Sequence, residues 1–132
     1  YRNGKEPGEK AKAAGFTSYT NGSSYDAYTP TYYLEPFGNG KECAKFAFAF
    51  WDDIFGSDAP MHEVTNPTDV KPGDLIRYSG HWCIATKKAY YDPELDCYLV
   101  SDVGGGAAGQ IGWGNGDNNI NRALVFYSRY PN

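Results

Sequence analysis

The segment 40–56, GKECAKFAFAFWDDIFG, limits the possible folds more than any other part of the chain. Apolar residues recur in it at helical spacing. One face of that helix would carry Cys43, Ala47, Phe50, Trp51 and Ile54. Phenylalanines spread apolar surface around its other sides, and a helix that is apolar on most sides is buried on most sides. The pattern predicts a buried helix over residues 42–55, which Gly56 ends.

Strand patterns follow this helix. Residues 74–79, 81–91 and 96–103 are rich in β-forming side chains, and the turn YDPELD joins the last two into a hairpin. Residues 122–130 add another strand. A chain of 132 residues suits a single core. The order, a helix and then an antiparallel meander, predicts one α+β domain spanning 1–132, with the helix packed on a curled sheet.

The first forty residues are polar, tyrosine-rich and interrupted by glycine and proline, apart from a short helical pattern over 8–16. They are predicted to be mostly loop and to form a cap over a cleft. The glycine-dense segment 104–117 is predicted to be a long loop. Its Trp113 is a candidate for gripping an extended substrate.

Charge and hydropathy limit the kinds of partner that the protein can have. The net charge is -4, and no run of basic residues appears, which argues against nucleic-acid binding. No stretch approaches the roughly 20 apolar residues that cross a bilayer. We expect no membrane span, and a monomer that stands alone or forms one module of a longer chain.

Cys43 is the first candidate for chemistry. A cysteine attacks as the thiolate, and the start of a helix lowers its pKa because the free N–H groups and the helix dipole favour negative charge. One of those N–H groups can also bind a developing oxyanion. The alternative is a small apolar residue at the edge of the core.

His81 is the candidate base, because it begins a strand directly after Gly80 and can present a ring nitrogen outward. A base of this kind needs a polar group that orients it. If the hairpin is centred near Pro93, His81 lies across from about residue 105, within a few residues of Asp102. Asp102 is therefore the candidate third member. The alternatives are Asp96, Asn115, Asn118 and Asn119.

The other cysteines are predicted to be structural. Cys83 shares a strand face with His81 and is expected to pack beneath the helix, whereas Trp82 points the other way and would cover the outer side of the sheet. Cys97 and Asp102 are an odd number of residues apart, so they face opposite ways unless a bulge intervenes. If Asp102 points toward His81, Cys97 points away from Cys83, and a Cys83–Cys97 disulfide is disfavoured. The histidines and cysteines lack the paired spacing of a zinc site, and no phosphate-binding loop is visible. We expect no metal and no cofactor.

The motifs together resemble the NlpC and CHAP group of papain-like cysteine hydrolases. The group has a cysteine opening a helix with C-x-x-F/Y, then PGD and a few apolar residues, then GH leading a strand. Here these elements are Cys43 with Phe46, residues 72–74, and Gly80 with His81. The resemblance covers roughly residues 40–103. The group also has a third polar residue one strand later, here Asp102, and aspartate is less usual there. A tryptophan directly after the histidine, here Trp82, is a further departure from the group's pattern.

The resemblance implies a papain-like fold and a secreted enzyme that cleaves amide bonds in bacterial cell-wall peptides. It implies that Cys43 is the nucleophile, His81 the base and Asp102 the orienting residue. A second oxyanion donor is expected from Tyr32 or Tyr33, upstream of the helix. The rival predictions are a non-catalytic module that binds carbohydrate, and the same fold acting as an acyltransferase or as an antibacterial toxin.

Overall fold

The computed structural model of the protein describes residues 6–106 and 109–131, without the side chains of residues 115 and 116. The helices are α1 (Glu9–Ala13) and α2 (Cys43–Phe55). The strands are β1 (Tyr32–Leu34), β2 (Gly38–Gly40), β3 (His62–Glu63), β4 (Leu75–Tyr78), β5 (His81–Ala85), β6 (Tyr90–Asp92), β7 (Cys97–Gly105), β8 (Ile111–Asn119) and β9 (Val125–Ser128). Single 3-10 turns lie at Pro67–Asp69 and Ile120–Arg122.

Seven of the strands form one curled antiparallel sheet in the order β3-β9-β4-β5-β7-β6, and β8 pairs with the other edge of β7. Strands β1 and β2 form a separate small ribbon just before α2. The predicted α+β class and the curled sheet are confirmed. The predicted strand over 81–91 is two strands in the structure, β5 and β6, and both pair with β7.

The helix α2 is the centre of the larger core. Residues 45–52 are all buried, as the all-round apolar pattern predicts. One cluster packs around α2 and includes Leu75, Ile84 and Val103 from the sheet. A second cluster contains Ile76, Cys83, Ala85, Val100 and Phe126. Because neighbouring strand residues point to opposite faces, the second cluster lies on the face of the sheet away from α2.

Two expectations about sheet faces were wrong. Cys83 is fully buried, but in the cluster on the far side of the sheet and not beneath the helix. Trp82 packs under α2 instead, with its ring 5.2 Å from that of Phe48. The alternation itself holds. Trp82 and Cys83 face opposite ways, and α2 covers the face that carries Trp82.

The glycine-dense segment was expected to be a loop, yet residues 111–119 form β8. Its pairing with β7 runs from Leu99 opposite Asn119 to Gly105 opposite Ile111. On its outer side Ile111 exchanges backbone hydrogen bonds with Gly22 and Ser23 at 2.7 and 2.9 Å. Pairing on both edges overrides the low strand preference of glycine.

Candidate active site

The chain enters α2 through a tight turn. Glu42, the residue before the helix, has φ 54° and ψ -125°, a conformation that costs free energy for a residue with a Cβ. Its N–H donates to the Ala27 carbonyl at 2.5 Å, which holds the turn in place. Gly40 fits closely against the first helical turn, because an added Cβ would lie 3.0 Å from the Cα of Lys45. This packing places Cys43 at the first position of the helix.

The Cys43 thiol lies beside the start of β5. It is half-buried, it is hydrogen-bonded to the His81 side chain and the Trp82 backbone, and its sulfur is 3.9 Å from the Gly80 carbonyl oxygen. Burial opposes ionisation of the thiol. The hydrogen bonds from His81 and Trp82 and the imidazole charge outweigh that penalty, so the pKa of Cys43 is lowered below its ordinary value.

His81 is the first residue of β5, and its ring stacks on that of Tyr78 across the hairpin at a centroid distance of 6.5 Å. The hydrogen bond with Cys43 raises the pKa of His81. Burial opposes the rise, and the charges of Cys43 and Asp102 add to it. The pKa of the thiol thus moves down while that of the imidazole moves up. Opposite shifts of this kind favour a thiolate–imidazolium pair.

Asp102 lies near this pair without bonding to it directly. It is only 5% exposed, it accepts a hydrogen bond from the Asn118 amide at 3.1 Å, and it interacts with the Cys83 thiol. Burial raises the pKa of Asp102, while Asn118 and the charge of His81 oppose the rise. Asp102 therefore acts on His81 through its charge, and its role as the orienting residue stays a prediction.

The alternatives to Asp102 fall in different places. Asp96 is an exposed turn residue that accepts a hydrogen bond from Tyr91. The Asn119 side chain accepts from the Asn121 N–H and caps the following 3-10 turn. The Asn115 side chain lies outside the described residues. Asn118 bonds to Asp102 and lines the same cleft as His81.

The tyrosine near Cys43 is Tyr25, which the sequence reasoning missed. Its hydroxyl donates to the carbonyl of Glu42 at 3.0 Å, on the peptide that joins Glu42 to Cys43. Burial, with the nearby charges of Cys43 and Glu42, raises the pKa of Tyr25. No local pattern marks it, because Tyr25 and the residue it contacts at the helix start are 17 positions apart in the chain.

Two expected oxyanion donors lie elsewhere. The Tyr32 ring is buried in the core, and its hydroxyl donates to Asp52 at 2.5 Å. Asp52 is nine helix positions beyond Cys43, a distance of about 13 Å along the axis. Tyr33 is 58% exposed, and no described contact joins it to Cys43. Successive residues of a strand point to opposite faces, so the Tyr33 side chain points away from the core that holds Tyr32.

Trp113 also has a different position from the one expected. It lies on β8, its indole N–H donates to the Tyr19 carbonyl at 2.7 Å, and its ring packs edge-on against Phe50. Trp113 therefore anchors the N-terminal segment to the sheet. It is not among the described residues that line the clefts beside His81.

Consecutive glycines make room for the site. A Cβ added at Gly104 would lie 3.1 Å from Nε2 of His81. One added at Gly105 would lie 1.9 Å from the Tyr25 hydroxyl oxygen. Strand β7 therefore approaches the tyrosine more closely than a residue with a side chain allows, and it fits tightly against the imidazole. The run of glycines that begins at the end of β7 is the sequence signal for this close approach.

Two open clefts flank His81. The first has a volume of about 440 Å³ and a glycine floor, and residues 21 and 22 of the N-terminal segment form part of its wall. The second, of about 410 Å³, is lined by Tyr78, Ser79, His81, Asp102, Asn118 and Arg122. The imidazole therefore has open space on two sides. That the first forty residues cap a cleft stays a prediction, toward which residues 21 and 22 contribute part of one wall.

All three cysteines are free. Burial, together with the charge of Asp102, raises the pKa of the Cys83 thiol well above its ordinary value, which makes Cys83 unreactive. Within residues 6–106 and 109–131, no group of three histidine, cysteine or acidic side chains is placed to hold a metal ion. Over the same residues, no helix has the length and apolar character that crossing a membrane requires.

Comparison with known proteins adds no relative. No family model matches the chain, and neither the curated proteins nor the solved structures give a significant match. The assignment of a function therefore depends on the site and on the motifs that form it.

Proposed function

We propose that the chain is a papain-like cysteine amidohydrolase or peptidase that cleaves amide bonds in the peptides of bacterial cell walls. The observation that carries the proposal is the hydrogen-bonded pair of Cys43 and His81 at the start of α2, beside an open cleft. Opposite pKa shifts within one nucleophile–base pair are what thiol catalysis at neutral pH requires.

In the proposed reaction the Cys43 thiolate attacks the carbonyl carbon of the scissile amide. A new S–C bond forms, and the carbonyl oxygen becomes an oxyanion. The Cys43 backbone N–H at the helix start is a donor to this oxyanion. The Tyr25 hydroxyl donates to the carbonyl of residue 42 at 3.0 Å, on the opposite side of the same trans peptide, so it holds in place the peptide that carries this N–H.

Collapse of the intermediate breaks the C–N bond, and His81 gives its proton to the leaving amine. His81 then takes a proton from water, which attacks the thioester and releases a carboxylic acid and Cys43. Asp102, 5% exposed and within reach of the imidazole charge, favours the protonated imidazole in the first step. It acts through His81 and is therefore a positioning residue.

The direct test is digestion of purified peptidoglycan, with mass analysis of the released fragments. We expect new amine and carboxylate termini from the wild-type protein and none from Cys43→Ala or His81→Ala. Cys97→Ala and His62→Ala serve as matched controls and keep full activity. Wall hydrolysis by Cys43→Ala at the wild-type rate would refute the proposal.

The same experiment separates the rival functions. An acyltransferase would pass the acyl group to an added amine in preference to water, and so would give an amide product. A module that only binds carbohydrate would sediment with peptidoglycan and release nothing. The exposed tyrosines Tyr90, Tyr91 and Tyr98 on the β6–β7 hairpin favour this second candidate, since tyrosine rings stack on sugars. We also propose that the protein is secreted to the bacterial cell wall.

A further inference from the structure

The second cleft beside His81 contains polar groups that the proposed reaction does not use. It lies where the β4–β5 hairpin meets the 3-10 turn after β8. Tyr78 and Arg122 are two of its lining residues, and both are donors. Neither has a role in attack on the amide or in protonation of the leaving group.

The Tyr78 hydroxyl is buried and has no hydrogen-bond partner in the described part of the chain. Tyr78 lines the cleft, so this hydroxyl is a donor that a ligand in the cleft can use. The hydroxyl lies within electrostatic reach of Arg122. Both residues line the same cleft, so a ligand bound there can meet both donors.

Arg122 is exposed, and within the described ranges it forms no salt bridge. The turn that carries it is fixed, because Ile120 is buried and Asn119 caps the turn at 2.9 Å. A guanidinium on a rigid element matches the two oxygens of a carboxylate. Among the described residues that line this cleft, Asp102 is the one carboxylate, and it is buried and already bonded to Asn118.

We propose that this cleft is a subsite for a substrate carboxylate, held by Arg122 and the Tyr78 hydroxyl, so that the enzyme prefers peptides with a free carboxylate next to the scissile amide. The inference rests on the proposed function, because His81 borders both the subsite and the reacting pair. It narrows the substrate class from wall peptides in general to those whose neighbouring carboxyl group is not amidated.

The first test compares two preparations of the same peptides. Stem peptides released from purified peptidoglycan are divided, and one half is converted to carboxamides by carbodiimide coupling with ammonia. Binding of each half to Cys43→Ala protein is measured by calorimetry. We expect the carboxylate peptides to bind about tenfold more tightly, as is typical of one charge-assisted contact. In Cys43→Ala/Arg122→Gln the ratio should fall to about one.

Two further variants separate recognition from structure. Arg77→Gln removes the same charge from a residue that stacks on Trp82 outside the cleft, so it should keep the tenfold preference. Tyr78→Phe keeps the ring against His81 and removes the unpaired hydroxyl. It should weaken the preference without lowering the stability of the free protein, whereas a purely structural hydroxyl would lower stability and leave the preference unchanged.

A second probe does not depend on wall peptides. Glutarate should slow the alkylation of Cys43 by iodoacetamide, while glutaramide should not, and Arg122→Gln should abolish the difference. Protection by glutarate without any wall hydrolysis would refute the proposed function and support the subsite. If the protein hydrolyses wall peptides but binds the carboxylate and carboxamide preparations equally, and glutarate does not protect Cys43, the subsite alone would be refuted.

Discussion

The reactivity of Cys43 depends on partners that come from other parts of the chain. The thiol is hydrogen-bonded to the His81 side chain and to the Trp82 backbone, both on β5. These groups stabilise the thiolate more than burial penalises it, which lowers the pKa of Cys43. At the scale of the residue, position 43 is therefore defined by a strand that begins 38 positions later.

The first prediction concerns the thiolate. We expect the rate of Cys43 alkylation by iodoacetamide, measured against pH in a Cys97→Ser background, to show a midpoint below that of a free thiol. His81→Ala should move this midpoint upward, because it removes the hydrogen bond and the charge that lower the pKa of Cys43. His62→Ala is the control and should leave it unchanged. An unaltered midpoint in His81→Ala would contradict the pairing.

The second prediction is a bell-shaped dependence of hydrolysis on pH. The pKa of Cys43 is lowered, so the thiolate is present above that pKa and is lost as the pH falls through it. The pKa of His81 is raised, so the imidazolium is present below that pKa and is lost as the pH rises through it. Asp102→Asn should move the alkaline limb to lower pH, because the charge of Asp102 helps to raise the pKa of His81. A limb that stays in place would show that Asp102 does not act on His81.

The third prediction concerns the glycine beneath Tyr25. In Gly105→Ala the new methyl group would lie 1.9 Å from the Tyr25 hydroxyl oxygen and 2.9 Å from the Phe46 Cβ. Overpacking of this kind typically costs about 1–3 kcal/mol in the free energy of unfolding, measured in urea. Gly106→Ala is the matched control, since nothing lies within 4 Å of a Cβ there. Equal stability of the two variants would show that β7 can shift freely.

At the scale of the element, α2 combines a strained start with a buried body. Glu42 makes no side-chain cap, and its backbone stays at φ 54° because its N–H bonds to Ala27 and its carbonyl bonds to Tyr25. Strain that surrounding contacts impose is typical of functional sites. In this protein the strained turn brings the cysteine, the tyrosine and the free N–H groups of the helix start together.

The fourth prediction tests that strain. Glu42→Gly should raise the free energy of unfolding by about 1 kcal/mol, since glycine adopts φ 54° without a Cβ clash. Glu42→Ala keeps the Cβ and serves as the control, so its stability should stay near that of the wild type. Chemical denaturation of the three proteins gives the comparison. A glycine variant that is no more stable than the alanine variant would argue against a strained helix start.

At the scale of the whole molecule, buried polar groups connect the ends of the chain to α2. Asp52 forms a 2.5 Å ion pair with Arg129, and both side chains are almost fully buried. Asp52 also accepts the Tyr32 hydroxyl at 2.5 Å. On the same helix the Lys45 ammonium donates to the carbonyls of Asp26 and Thr29 at 2.5 and 2.8 Å. These contacts order the long irregular N-terminal segment, which contributes one wall of the cleft.

The fifth prediction concerns the buried ion pair. Arg129→Met leaves the buried Asp52 carboxylate with only the longer 3.9 Å ion pair to the exposed Lys10. Removing one partner of a buried pair typically costs about 3–5 kcal/mol. Tyr32→Phe removes one hydrogen bond from the same carboxylate and should cost about 1 kcal/mol. Urea denaturation measures both losses. If Arg129→Met cost no more than Tyr32→Phe, the pair would contribute little to holding the C-terminal segment against α2.

Several features followed from the sequence by itself, because they depend on neighbours along the chain. Helical spacing predicted α2 over 42–55, and the structure has it from Cys43 to Phe55. A hairpin centred near Pro93 predicted His81 opposite about residue 105. The observed pairing of Ile84 with Val103 lies within about one residue of that register. The separation of Cys83 and Cys97, which was expected from alternation, agrees with three free thiols.

Other features were decided only by the tertiary structure. Alternation along a strand shows which residues share a face, but not which face the helix covers, so Trp82 and Cys83 were exchanged. Strand β8 forms although it is rich in glycine, because β7 and the N-terminal segment supply partners on both edges. The places of Tyr25, Tyr32 and Trp113 follow from contacts across 17 to 94 positions. Periodicity is local, whereas these contacts depend on how the sheet curls around α2, and no short stretch of sequence encodes that.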